Sequence, residues 1–397
     1  MLQRLIHSAR VNVFESARFY YWVLVILTSY FLLNRFLQKL SYVYLDARWT
    51  DLKIGEGVLF GLAYVIVLIS AWFLRNKIPR YVFWCWGGIV LIFLINEFRF
   101  AWGNPDYSLM ESLTKSQGYY TAKFTMPLLF WGVWGALKDN ELFSRRFLNG
   151  FEKALIINGL FIFVGFLTGW QIFESYPKTG RWGYGGLFGH LTLQNIVYGI
   201  YLIRSSQPNS IINLKVIFFT TCLLLMGQKA ALLYVFLFFI IVVVDNKYCR
   251  VVVLVAAMLI ILMTPLWIKS IVTISPFWEK IYRSDGVWSL VFSYRNDLFL
   301  DMWSNNKFSL FNWIFGGISR HPHAVEMLPL DVFIFYGLIG LFLILVFYFR
   351  SIPYLKFFTP VIVACGAGGL YAGPITMLLF CMWVFENPAK KIEAVDQ

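Results

Sequence analysis

Charge is what this chain has least of for its size. Asp, Glu, Lys and Arg make up 14% of the 397 residues, whereas a soluble domain carries roughly a quarter, so water is not the solvent for most of its surface. Histidine is scarcer still, with four in all. The five cysteines (Cys85, Cys222, Cys249, Cys365 and Cys381) are odd in number, sit mostly within apolar runs and never fall in a CxxC spacing, so they point neither to a disulfide framework nor to a metal site. HExxH and P-loop patterns are absent, which removes the zinc-hydrolase and nucleotide-binding chemistries those spacings support. Internal repeats of the kind found in many secondary transporters are lacking, as are low-complexity stretches and any boundary to a soluble domain.

What the chain has instead is apolar length. It is 59% hydrophobic, with a mean hydropathy of +0.66, and stretches of about 17 to 25 apolar residues recur, the length a helix needs to cross a bilayer core of roughly 30 Å. These predict an all-α, polytopic membrane protein forming one integral membrane domain over residues 1–397. The expected spans are 19–33, 56–74, 81–98, 124–137, 154–173, 186–203, 216–226, 230–244, 251–268, 329–349, 357–368 and 370–385. That makes about twelve, with eleven as the alternative because several are short or interrupted by glycine. Aromatic residues, 20% of the chain, cluster near the ends of the runs, where amphipathic rings sit at headgroup level.

Twelve spans put both termini on one side, and 18 of the 34 Lys/Arg fall in the links on that side, so the positive-inside rule places the termini in the cytoplasm. No cleavage site follows the first apolar run, and the first helix is expected to stay in the mature protein. The net charge of +13 is spread over short links and forms no basic tract. It therefore suits anionic headgroups or phosphate-bearing lipids better than nucleic acid. On this topology the loops 34–55 and 99–123 face outward, as does a loop of about 60 residues, 269–328, just before the tenth span. Loops of that length usually carry function. Within it Ser293–Asn305 reads as a helix on the bilayer interface, with Ser293 as N-cap.

Three segments could carry chemistry. Arg181–Asn195 puts an arginine at an outer face, then a run of glycines, then His190, Gln194 and Asn195 inside an apolar span. Glycine allows close backbone approach and polar groups at depth need protein or a wet cavity around them; the alternative is tight helix packing. Tyr294 and Arg295 open the interfacial helix, and the arginine there can hold a phosphate bidentately or simply pair with Asp297. Gly316–Gly340 gathers Arg320, His321, His323, Glu326 and Asp331 just before and inside the first turn of the tenth span. A carboxylate or imidazole at a membrane face can take a proton from a sugar hydroxyl, although Asp331, two residues after Pro329, could merely stabilise a helix N-terminus.

Arg181 with Asn195, then Arg295, then an outward loop ending in Glu326, Asp331, Gly337 and Gly340, in that order, resembles the O-antigen and capsule polymerase (Wzy) and O-antigen ligase (WaaL) superfamily over roughly residues 181–349. Ligase-like members carry a histidine eleven residues before the first glycine of the closing Gly-x-x-Gly. Glu326 holds that place here, which is more similar to the polymerases. The resemblance implies a GT-C-like, metal-independent, inverting glycosyltransferase at the periplasmic face of a bacterial inner membrane, needing no cofactor. Its substrates would be donor and acceptor glycans on undecaprenyl pyrophosphate, within membrane lipid, and it leaves room for a chain-length regulator protein. Arg181 and Arg295, with Arg320, Asn195 and Tyr294, would bind the pyrophosphate and glycan. Glu326, Asp331, His323 or His321 would supply the base. The competing readings are a ligase with a lipid A core acceptor and a polysaccharide flippase or transporter. A metal-using polyprenyl-phosphate-sugar transferase would show paired acids in its first outer loop, and Asp46 and Asp51 lack that spacing.

Overall fold

The computed structural model describes residues 16–45, 56–103, 117–179, 181–188, 191–206, 213–244, 279–283, 286, 295–305, 308–318, 327–367 and 374–386. Among these the protein is all-α, broken only by two isolated bridges, Ser16 with Lys138 and Glu174 with Tyr184. The helices are α1 (Ala17–Tyr44), α2 (Glu56–Phe73), α3 (Arg80–Gly103), α4 (Gln117–Ala136), α5 (Asn140–Thr168), α6 (Leu191–Ser205), α7 (Leu214–Leu225), α8 (Lys229–Val244), α9 (Arg295–Asn305), α10 (Leu310–Phe315), α11 (Leu328–Ser351), α12 (Thr359–Ala367) and α13 (Pro374–Glu386).

Four of them, α1, α3, α5 and α11, are long and apolar enough to cross a membrane. Eleven of the expected spans coincide with a helix, most of the others shorter, and the expected span 251–268 lies outside the described residues. Bilayer chemistry explains why such segments are helical at all. The run LLYVFLFFIIVVV of α8 is rich in β-branched and aromatic residues, which are mediocre helix formers in water. In hydrocarbon every backbone N–H and C=O must find a partner within its own segment, and that requirement overrides propensity. It also tolerates Pro127 inside α4.

The surface confirms the solvent. Val58, Leu62, Val65, Ile69 and Trp72 run along one exposed face of α2, with Trp72 at 67% exposure. Leu160, Val164 and Leu167 do the same on α5. Contiguous apolar faces of this kind belong to a protein whose neighbour is lipid. The opposite case is α13, in which every residue from Ile375 to Val384 is buried. It packs against α4, α5 and α6 at the centre of the bundle, and a helix apolar all round belongs there. Trp131 of α4 joins Phe380 and Phe385 of α13 and Phe347 of α11 in one aromatic cluster.

Several boundaries differ from the sequence expectation. Asn34–Tyr44, expected in an outer loop, continues α1, and α5 begins at Asn140 rather than 154. The sixth helix begins at Leu191, so Gly185 and Gly186 lie in the loop before it. The helix expected over Ser293–Asn305 runs over Arg295–Asn305, and the proposed cap Ser293 lies outside the described residues. The end of the long loop is not simply external either. Ser309 starts α10 with a capping box to Asn312, and α10 packs against α11 where that helix is broken at Gly337, which has φ 65° and ψ −164°.

The broken ends are satisfied from outside the helix. Gly317 N–H donates to Ile334 O at 3.0 Å and to Phe335 O at 3.3 Å, and Asn96 Nδ2 reaches Phe335 O at 3.5 Å. Asn312 Nδ2 donates to the carbonyls of Gly316 and Gly317. A side chain at Gly337 would collide with the Ile314 carbonyl, so both its conformation and its contact require glycine.

At one end of the bundle the start of α7, the middle of α5 and the last turns of α6 and α13 meet around Arg204. Its guanidinium donates to Glu386 through Nε at 2.7 Å and Nη2 at 2.5 Å, and to Glu152 through Nη1 at 2.7 Å. Lys215 also pairs with Glu152. Asn213 caps α7 at this end, accepting from Val216 N at 2.9 Å.

Candidate functional site at the opposite end of the bundle

The loop between α5 and α6 is folded tightly onto the turn between α7 and α8. After α5 ends at the left-handed Gly169, a short 3-10 turn, Gln171–Phe173, leads into a strand-like pairing. Ser175 N–H donates to Gly183 O at 2.7 Å, Tyr184 N–H to Leu225 O at 2.8 Å and Ser175 Oγ to Met226 O at 2.9 Å. Gly183 and Gly227 cross so closely that a side chain on either would strike the other's backbone strand. Both have positive φ, 140° and 64°, and glycine is the residue this crossing requires. The glycine-rich segment therefore owes part of its composition to packing, as the plainer reading of the sequence has it.

Two buried polar side chains hold the loop from below. Asn158 of α5 accepts from Leu187 N at 2.7 Å and Phe188 N at 2.9 Å, and donates to Gly185 O at 3.2 Å and to Tyr198 Oη at 3.0 Å. Lys39, 147 residues earlier in sequence than its partner, donates from Nζ to Gly186 O at 2.8 Å. That bond ties the end of α1 to the loop. Glu174, in the loop, has its carboxyl raised above the usual range by burial, an effect the Lys39 ammonium opposes. Asn158→Ala would strip buried donors and an acceptor at once. We expect it to lower stability by about 2 kcal/mol, read as a drop in the thermal unfolding midpoint in detergent.

The crossing brings Arg181 to Lys229. Arg181 follows the turn Tyr176–Thr179, takes a backbone hydrogen bond from its own N–H to Thr179 Oγ1, and lays its guanidinium over the Tyr176 ring at 3.8 Å. Burial holds it below the usual arginine range; Tyr176 opposes that shift and the neighbouring Arg295 adds to it. Lys229, the first residue of α8, lies within electrostatic reach of both arginines. Three cations from three parts of the chain thus converge above the α7–α8 turn. An anion seated among like charges lowers their mutual repulsion.

Beneath them lies a polar patch between α6 and α8. Asn195 pairs with Gln228 through their side-chain amides. Asn195 Oδ1, Gln228 Nε2 and the Tyr234 hydroxyl are buried with no hydrogen-bond partner among the described residues. Buried polar atoms left in this way call for water or a ligand.

Of the residues singled out in the sequence, the structure brings Arg181 and Arg295 together and sets Asn195 beside Gln228, next to Lys229. Asp331 stands half-buried in the first turn of α11, its N–H donating to Met327 O at 2.9 Å. Tyr294, Arg320, His321, His323, Glu326 and His190 lie outside the described residues. The sequence reading missed Lys229, Gln228, Lys39 and Asn158. Lys229 had a signal: MGQKA places a cation and an amide in a three-residue turn between two apolar helices, on the side the positive-inside rule leaves poor in cations. Nothing local marks the other two. No protein-family model, curated protein or solved structure matches this chain.

Proposed function

We propose that this protein is a glycan polymerase of the inner membrane, transferring a glycan en bloc from one undecaprenyl-pyrophosphate carrier to the non-reducing end of another. The observation that supports it most is the convergence of Arg181, Lys229 and Arg295 at one end of an apolar bundle, where a lipid diphosphate presents its charge. In this reading the fold is a GT-C-like bundle of about twelve spans with cytoplasmic termini, and the cationic cluster faces the periplasm.

The acceptor hydroxyl attacks the anomeric carbon of the donor, the carbon–oxygen bond to the diphosphate breaks, and the lipid diphosphate leaves carrying the charge. Arg181, Lys229 and Arg295 bind that diphosphate and stabilise it as it departs. Asn195 and Gln228 offer amides to the sugar or phosphate oxygens. A carboxylate, Asp331 in the first turn of α11 or Glu326 shortly before it in sequence, with His321 or His323 as the imidazole alternatives, takes the proton from the acceptor hydroxyl; Arg320 and Tyr294 complete the binding set.

The test is to incubate the purified protein in detergent with lipid-linked repeat units alone, without lipid A core, and separate the products on a gel. A ladder of multiples is expected. A single unchanged band, with the substrate shown to be active independently, overturns the polymerase reading; products appearing only once core acceptor is added establish a ligase. One observation favours a transporter as the second reading, because a span broken at Gly337 is how such proteins build midplane sites. In α11, however, the break is filled by Gly317 and Asn96. Movement of lipid-linked glycan across proteoliposomes without a ladder would decide for transport.

A further inference from the structure

Transfer between two lipid-linked glycans needs two isoprenoid chains to be seated, and the loop carrying Arg181 accounts for one diphosphate. One turn back along α1 from the residue that holds that loop, a groove runs between α1, α2, α4 and α13. Leu27, Phe60, Met126 and Leu378 form its apolar wall, and Arg35, Lys123, Tyr30 and Tyr119 line it as well. The direction of the helices fixes where the polar residues sit. The groove touches the beginnings of α2, α4 and α13 (Gly57, Tyr119 and Ile375) and the far half of α1, all at one end of the bundle. It is the end that carries Arg181, since Lys39, one turn beyond Arg35, is the residue bonded to Gly186.

The chemistry of the groove is that of an isoprenoid diphosphate. Its two cations are held by aromatic faces, Arg35 over Phe31 at 5.0 Å and Lys123 over Tyr119 at 4.3 Å. Arg35 also donates to Gln38 Oε1 at 2.8 Å, and among the described lining residues there is no carboxylate. Leu27 of α1 and Leu59 and Phe60 of α2, which line the groove, are themselves partly exposed, so an apolar chain can enter sideways from lipid without crossing water. We propose that this groove takes the isoprenoid chain of the second lipid-linked substrate, with Arg35 and Lys123 on its phosphates. The assignment of that lipid as a second substrate rests on the transferase reading above; the groove's preference for an isoprenoid diphosphate can be measured without any turnover.

The probe is an isoprenoid diphosphate bearing a diazirine in its chain, without sugar, photolysed with the full-length protein in nanodiscs and mapped by peptide mass spectrometry. Label is expected on the groove faces of α1 and α4, displaced by unlabelled isoprenoid diphosphate and not by phosphatidylglycerol at the same concentration. The double variant Arg35→Ala, Lys123→Ala should cut that labelling about tenfold or more, the loss of charge-assisted contacts to phosphate. Arg35→Lys, Lys123→Arg should retain most of it, and label near Arg181 should persist in both, which guards against misfolding. Equal displacement by phosphatidylglycerol makes the groove an ordinary phospholipid site and overturns the proposal, as does labelling confined to the Arg181 loop. Groove labelling as described, from a protein that makes no ladder, would keep the isoprenoid site while removing the transferase reading.

Discussion

Arg295→Ala is expected to slow chain growth roughly 100- to 1,000-fold, the usual cost of removing one preorganised group from a developing anion, while leaving the protein folded. The argument rests on where the charge sits. Arg295 is the first residue of a short helix, Arg295–Asn305, and it acts on Arg181 and Lys229 as a repulsive neighbour. Its loss removes a repulsion within the cluster, and the thermal midpoint of the variant, measured beside its activity, separates lost chemistry from lost folding. Arg295→Lys keeps the charge and loses the planar fork that grips two phosphate oxygens, so partial activity is expected. Inorganic pyrophosphate supplies a second readout. An anion bound by the native state alone raises the midpoint by mass action, and the rise should appear in the wild type and shrink in Arg295→Ala. A variant that polymerises within twofold of the wild-type rate would sink the role assigned to Arg295.

Arg204→Met carries the largest expected cost in stability, about 3 to 5 kcal/mol, the range found when one partner of a buried ion pair is removed. Glu152 and Glu386 are 7% and 8% exposed, and both depend on the same guanidinium. Methionine fills the space of the arginine stem yet leaves Glu386 with no cation from Arg204 and Glu152 with Lys215 alone. Glu386→Gln should cost less, because an uncharged amide can still accept from Arg204. Thermal unfolding of the wild type, Arg204→Met and Glu386→Gln in detergent checks it. Equal midpoints at neutral pH would mean the network adds nothing.

The apolar helices were legible because a bilayer imposes one length on them: the expected 56–74 is Glu56–Phe73, and the expected 216–226 is Leu214–Leu225. Where helices extend past the apolar run, hydropathy fell silent. The first half of α5 is polar on average, but Phe147, Leu148 and Phe151 are buried, and the helix leans on α1 and α13. Only a helical stripe, weak against its charged neighbours, records that. The end of α1 was hidden for another reason. Gln38 and Lys39 look like loop residues until the Gly186 carbonyl is in place. At the candidate site the sequence offered the two arginines, yet their convergence with Lys229 depends on the Gly183–Gly227 crossing, a contact between backbones that no spacing along the chain encodes.

The Arg204 knot also fixes how the bundle can move. It ties α5, α6, α7 and α13 at a single point, while at the other end the loop after α5 meets the end of α7 through the Gly183–Gly227 crossing. The molecule is built like a pair of forceps, riveted at one end. From Glu152 to Thr168 runs roughly 24 Å of helix, so a tilt of about 5° about the rivet swings the tip by roughly 2 Å. That is enough to part Arg181 from Lys229 or press them onto a bound diphosphate, with no rearrangement at the pivot. Grip at one end is thereby governed by stiffness at the other.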